Sequence, residues 1–154
     1  MRSMKVQDTL SVSCEIISAD PKRLTAVYTG ELSIEGGAHP SRIFYTNTLN
    51  LNQMKDMGLN DFTDAYTMAG YVLSEDVRFP KLNAEETSAA LEYRSTQSME
   101  ALTAVFENAD FPLSGKETWP ESFSYEKQGR IYFSLPVPHA LGDYVIVEFD
   151  PATK

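Results

Sequence analysis

The 154-residue chain has the length of a single domain, and with 42 % hydrophobic and 23 % charged residues it is too apolar to remain disordered. Its formal charge of −9 disfavours nucleic acid and anionic membrane, which proteins bind through Lys and Arg that neutralise phosphate. The lone Cys14 excludes an internal disulfide framework and a zinc site built on several thiolates.

No apolar run approaches the roughly 20 residues that cross a bilayer. The start, Met1-Arg2-Ser3-Met4-Lys5, lacks the apolar stretch and small-residue cleavage site of a secretory signal, so a cytoplasmic protein is expected.

Leu10, Val12, Cys14 and Ile16 alternate with Ser11, Ser13 and Glu15. After Ser18-Ala19-Asp20-Pro21-Lys22 the alternation resumes, with Leu24, Ala26, Tyr28, Leu32 and Ile34 on one face and Thr25, Thr29, Glu31 and Ser33 on the other. Period two on both sides of an Asp-Pro turn predicts an antiparallel hairpin with its apolar face buried. Cys14 lies on that face and reads as a small buried hydrophobe rather than a nucleophile, because nothing nearby in the sequence would lower its pKa.

Glu35-Gly36-Gly37-Ala38-His39-Pro40 reads as a loop. A third strand is expected from the alternation of Ile43, Tyr45, Leu49 and Leu51 with Arg42, Thr46, Thr48 and Asn50. Asn47 interrupts its apolar face, as at an edge or a bulge.

Near Met54 the period changes. Asp61, with Asp64 three positions on, marks a helix start, after which Phe62, Ala65, Tyr66, Ala69 and Val72 or Leu73 recur at helical spacing. Asn83 with Glu86 marks a second start, and Ser98 a third that ends before Phe111-Pro112. Periodicity leaves residues 88–97 open between helix and strand. Strands return with Phe123 and Tyr125, a turn at Lys127-Gln128-Gly129-Arg130, Ile131 to Val137 closed by Pro136 and Pro138, and Tyr144 to Phe149. Three strands, a helical middle and three strands describe a single α+β domain over 1–154. The expected architecture is one antiparallel sheet of about six strands with the helices on one face; a closed β-barrel with capping helices is the alternative.

Catalytic signals are sparse. His39 and His139 both sit beside prolines, and joining them with Asp143 would make an acid–base or metal constellation only if the fold brings the two loops together. Gly36-Gly37 is too short to cradle a phosphate, and nucleophile-elbow, Walker and dinucleotide signatures are absent. The carboxylate pairs Asp61/Asp64 and Glu85/Glu86 match glycosidase chemistry in composition, but acids at helix starts have the simpler role of meeting free N–H groups. Met54, Met57, Phe62, Tyr66, Met68 and Tyr71 suit a helical core as well as a small-molecule pocket. No cofactor and no enzymatic activity is expected.

Charge is uneven along the chain. Residues 55–110 hold eleven acids against four bases and so carry −7 of the −9. The expectation is a non-catalytic acidic protein-binding domain, an inhibitor, immunity or accessory protein for a basic partner that itself acts on nucleic acid. Asp56, Asp61, Asp64, Glu75, Asp76, Glu85 and Glu86 are the contact candidates. The alternatives are a structural subunit that self-associates through edge strands, as in a phage or secretion assembly, or a small-molecule-binding domain.

Overall fold

A computed structural model describes residues 9–19, 21–34, 40–112 and 118–153. The fold is α+β and antiparallel. Strands β1 (Thr9–Ala19), β2 (Arg23–Ser33), β3 (Ser41–Asn50) and β4 (Lys55–Met57) form an N-terminal sheet in that order. Helices α1 (Leu59–Phe62), α2 (Ala65–Val72), α3 (Ala84–Arg94) and α4 (Met99–Glu107) follow. Strands β5 (Ser124–Lys127), β6 (Arg130–Pro136) and β7 (Tyr144–Phe149) then form a second sheet. The predicted single sheet is thus two, the short β4 is additional, and the sheets do not close into a barrel.

The two sheets stay separate because their joint is made by side chains. The Thr46 hydroxyl donates to the Ser124 carbonyl oxygen at 2.6 Å, and Phe44 lies against Tyr125 and Tyr144. The molecule therefore has three layers, with the C-terminal sheet in the middle. One face of that sheet, Ile131, Phe133, Leu135, Val145, Val147 and Phe149, buries against Leu59, Met68, Val72, Leu102 and Phe106 from the helices. Its other face, Tyr125 and Ile146, packs with Phe123 against Val27 and Phe44 of the N-terminal sheet.

Local chemistry explains the helix boundaries. Asn83 Oδ1 accepts from Glu86 N at 2.8 Å while Glu86 Oε1 accepts from Asn83 N at 3.1 Å, the capping box predicted there. Ser98 Oγ accepts from Ala101 N at 3.0 Å and starts α4 as expected. The helix expected from Asp61 is split in two. Asp61 belongs to the one-turn α1, where its carboxylate accepts from Gly58 N at 2.8 Å, and Asp64 caps α2 by accepting from Thr67 N at 2.9 Å. The open stretch resolves as helix to Arg94 followed by a turn. Arg94 then donates to the carbonyl oxygens of Val72 and Ser74, serving the C-terminal end of α2. The predicted turn after β5 has positive φ at Gln128 (53°) and Gly129 (81°), the pattern of a two-residue hairpin. The loop expected at Glu35 to His39 lies outside the described residues.

The largest correction concerns the first hairpin. On β2 and β3 the covered face is the one that reads as polar: Thr25, Val27, Phe44, Thr46 and Thr48 are buried, while β1 is exposed on both faces from Thr9 to Ile16, its Leu10, Val12, Cys14 and Ile16 included. Alternation shows that a strand has two unlike faces, but the neighbouring layer decides which one is covered. Here the C-terminal sheet lies on the threonine side. The hydroxyls there are satisfied locally, as in the 3.4 Å contact between Thr48 Oγ1 and Thr25 Oγ1.

Candidate interaction surface

Strand register sets out the uncovered face row by row. Leu10 pairs with Leu32; Val12 with Gly30, and Gly30 with Ile43; Cys14 with Tyr28, and Tyr28 with Tyr45; Ile16 with Ala26. In an antiparallel sheet, directly opposed residues project from the same face. These side chains therefore share one side of the sheet, on which the β1 residues are exposed, Tyr28, Leu32 and Ile43 half-buried and Ala26 buried. Leu10, Val12 and Ile16 are 57 %, 50 % and 54 % exposed, far more than a covered strand allows. Covering the bare part of each would contribute roughly 1 kcal/mol. Cys14 is exposed among them, which corrects the expectation that it is buried.

Gly30 fits this surface for a steric reason. A Cβ there would collide with the Ser11 carbonyl oxygen, so the close approach of β1 to β2 requires glycine.

Where the face meets the loop after α4 lies an aromatic groove of about 490 Å³, within the size range of small-ligand sites. Tyr45 meets Phe123 edge-on at 4.9 Å and Trp119 at 6.2 Å. Tyr28, Met57, Phe111 and Pro112 complete the apolar lining, and the exposed Asn47 and Asp56 supply polar groups.

Asp110 also lines the groove, but it is almost wholly buried and serves as a joint. Its Oδ2 accepts from Leu59 N at 2.8 Å and Ser124 Oγ at 2.7 Å; its Oδ1 accepts from Ser124 N at 2.9 Å and Thr46 Oγ1 at 3.3 Å. One carboxylate thus ties β3, α1 and β5 together. Burial pushes its pKa above the usual carboxylate value, opposed by hydrogen bonds from Ser124, Leu59 and Thr46. Asp110 and Phe111 both have positive φ, 63° and 56°, which Asp tolerates better than most residues. Gly58 gives them room, since a Cβ on it would lie 2.8 Å from the Phe111 ring and 3.0 Å from Asp110 Cβ. Nothing in the sequence singled out Asp110 or Trp119.

The seven acidic candidates fall on several elements. Asp61, Asp64 and Glu86 are engaged in helix capping, and Asp56 on β4 accepts from Asn47 Nδ2 at 3.3 Å. Glu75 and Asp76 lie exposed in the turn after α2, and Glu85 in the first turn of α3. His139 Nδ1 pairs with Asp143 Oδ1 at 2.8 Å on the surface, while His39, the other member of the predicted constellation, is outside the described residues. Among the described residues no group of three or more His, Cys, Asp or Glu side chains is placed to hold a metal ion. No helix described is long and apolar enough to cross a membrane. No protein-family model matches this chain, and neither does any curated protein sequence.

Proposed function

We propose that this chain is a non-catalytic protein-binding domain whose contact surface is the outer face of the N-terminal sheet, with the Trp119 groove at its margin. The observation that carries the reading is the row of exposed apolar side chains on β1. A soluble domain that leaves such a contiguous face bare has a partner to cover it. The acidic charge of residues 55–110 adds long-range attraction for a basic partner, in the manner of an inhibitor or accessory protein, and would raise the rate of encounter more than the affinity.

The test is affinity capture from the native host with three baits: wild type, an outer-face variant (Ile16→Ser, Tyr45→Ser, Trp119→Ser) and a charge variant (Glu75→Lys, Asp76→Lys, Glu85→Lys). A protein held by wild type, lost by the outer-face variant and bound more slowly by the charge variant supports the proposal. Undiminished capture by the outer-face variant refutes it. A second reading, a small apolar ligand, is favoured by the aromatic groove alone; quenching of Trp119 fluorescence by a planar aromatic probe that Tyr45→Ser abolishes would support it.

A further inference from the structure

The edge of β1 is a separate observation from the face beside it. Edge strands of monomeric proteins are usually blunted by Lys, Pro, bulges or short length, because a free row of N–H and C=O groups invites another strand. Thr9–Ala19 is eleven residues long, contains no Lys, Arg or Pro, and has Glu15 as its sole charge. Its one irregularity against β2 falls between Ile16 and Ser18, so the stretch from Thr9 to Ile16 is a regular, exposed edge.

We propose that this edge is occupied by β1 of a second copy of the chain, antiparallel, about a two-fold axis perpendicular to the sheet that passes Ser13. Continuing the pleat requires outer-face residues to oppose outer-face residues, which limits self-pairing to registers centred on a residue. Centring on Glu15 sets two carboxylates against each other. Centring on Cys14 sends Leu10 against the partner's Ser18, beyond the bulge. Centring on Val12 sets Ile16 against position 8, where the sequence has Asp8. Centring on Ser13 pairs Leu10 with the partner's Ile16, Val12 with the partner's Cys14, and Glu15 with the partner's Ser11. Every apolar outer-face residue then meets another and no like charges oppose. In this register the strand is complementary to its own pattern.

The product is a continuous eight-stranded sheet, β4 to β1 followed by the partner's β1 to β4, with both outer faces on one side. A pairing this narrow covers less than the roughly 1,600 Å² of a standard interface, so the dimer is weak and concentration-dependent. Its salt response is diagnostic. Each copy carries −9, so added salt screens their repulsion and strengthens self-association, whereas it weakens docking of a basic partner.

Sedimentation of the full chain across a wide concentration range tests the proposal. The mass should rise from 17.2 kDa towards twice that value, and more readily in high salt. Ser13→Lys and Ser13→Glu should each be monomeric and their mixture should associate, because position 13 opposes itself. Ser13 is exposed, and an unchanged circular dichroism spectrum would show that these variants keep their fold. On oxidation, the Ser13→Cys, Cys14→Ser double variant should form a disulfide-linked dimer, since opposed Cα atoms in a ladder lie about 4.5–5.5 Å apart. The Val12→Cys, Cys14→Ser variant should not. A monomer at every concentration overturns the proposal, as does association that survives Ser13→Lys or equal cross-linking from position 12. Tyr45→Ser and Trp119→Ser lie away from β1 and should remain dimeric, so loss of partner capture by those changes would bear on the binding reading alone.

Discussion

Replacing Asp110 with alanine tests whether one buried carboxylate holds the layers together. The substitution removes the acceptor for two backbone donors, Leu59 N and Ser124 N, and for the Ser124 hydroxyl; Thr46 keeps its bond to the Ser124 carbonyl oxygen. An unsatisfied buried donor costs about 1–3 kcal/mol. Alanine at positive φ adds roughly 1 kcal/mol. Against this, the variant no longer buries a charge. The expected loss is about 4 kcal/mol, at the upper end for a point substitution.

Asp110→Asn should lose about half as much, because one oxygen remains while the amide NH₂ must face either the Leu59 or the Ser124 N–H. Urea unfolding with a two-state fit gives both numbers, and a constant m-value would show that the native state has kept its compactness. The pH dependence follows from the raised pKa. The folded state holds its proton to higher pH than the unfolded chain, so this group's contribution to stability is largest below the unfolded value near 3.8 and declines as pH rises through the folded one. The difference between wild type and Asp110→Ala should therefore widen as pH falls from neutrality. A loss below about 1 kcal/mol, or a difference that narrows on acidification, would refute the role assigned to Asp110.

Three further outcomes are expected. Val12→Ser and Ile16→Ser should each cost only about 1 kcal/mol in dilute solution, for the half of the side chain that is covered, against about 3–5 kcal/mol for Phe133→Ala in the core, with urea midpoints as the readout. Gly30→Ala should cost about 2 kcal/mol or more, because the new methyl meets the Ser11 carbonyl oxygen; equal melting temperatures would show that β1 and β2 approach less closely. Trp119, the single tryptophan, should emit at the long wavelengths of a solvated indole and be strongly quenched by acrylamide, and both signals should fall when the groove is filled.

Much of the architecture was legible because it is local. The Asn83–Glu86 box, the Ser98 cap and the Gln128–Gly129 turn are written within four residues each, and period-two alternation located every long strand. The orientation of the first hairpin was not legible. Its threonine face and its leucine–valine face are both acceptable β surfaces, and the choice between them is made by Tyr125 and Ile146 more than ninety residues downstream. Asp110 was hidden for the same reason: after α4 it reads as an ordinary turn residue, and its partners stand 14, 51 and 64 positions away. The acidic helix starts were visible, and Asp61, Asp64 and Glu86 make the capping bonds expected of acids there.

The three-layer arrangement has a dynamic consequence. The helices and the C-terminal sheet share a large continuous core, while the N-terminal sheet adheres through the smaller cluster around Val27 and Phe44, the Thr46 and Asp110 hydrogen bonds, the Arg23–Glu126 ion pair and the stacking of Arg42 on Tyr144. Cooperative units with few buried contacts open at lower free energy than the global unfolding. Amide protons of β1 and β2 should therefore exchange well before those of β6 and β7. The layer that bears the bare apolar face is also the one that can detach while the rest stays folded. Whatever covers that face would slow its opening, and hydrogen exchange on β1 would register the event without the partner having to be labelled.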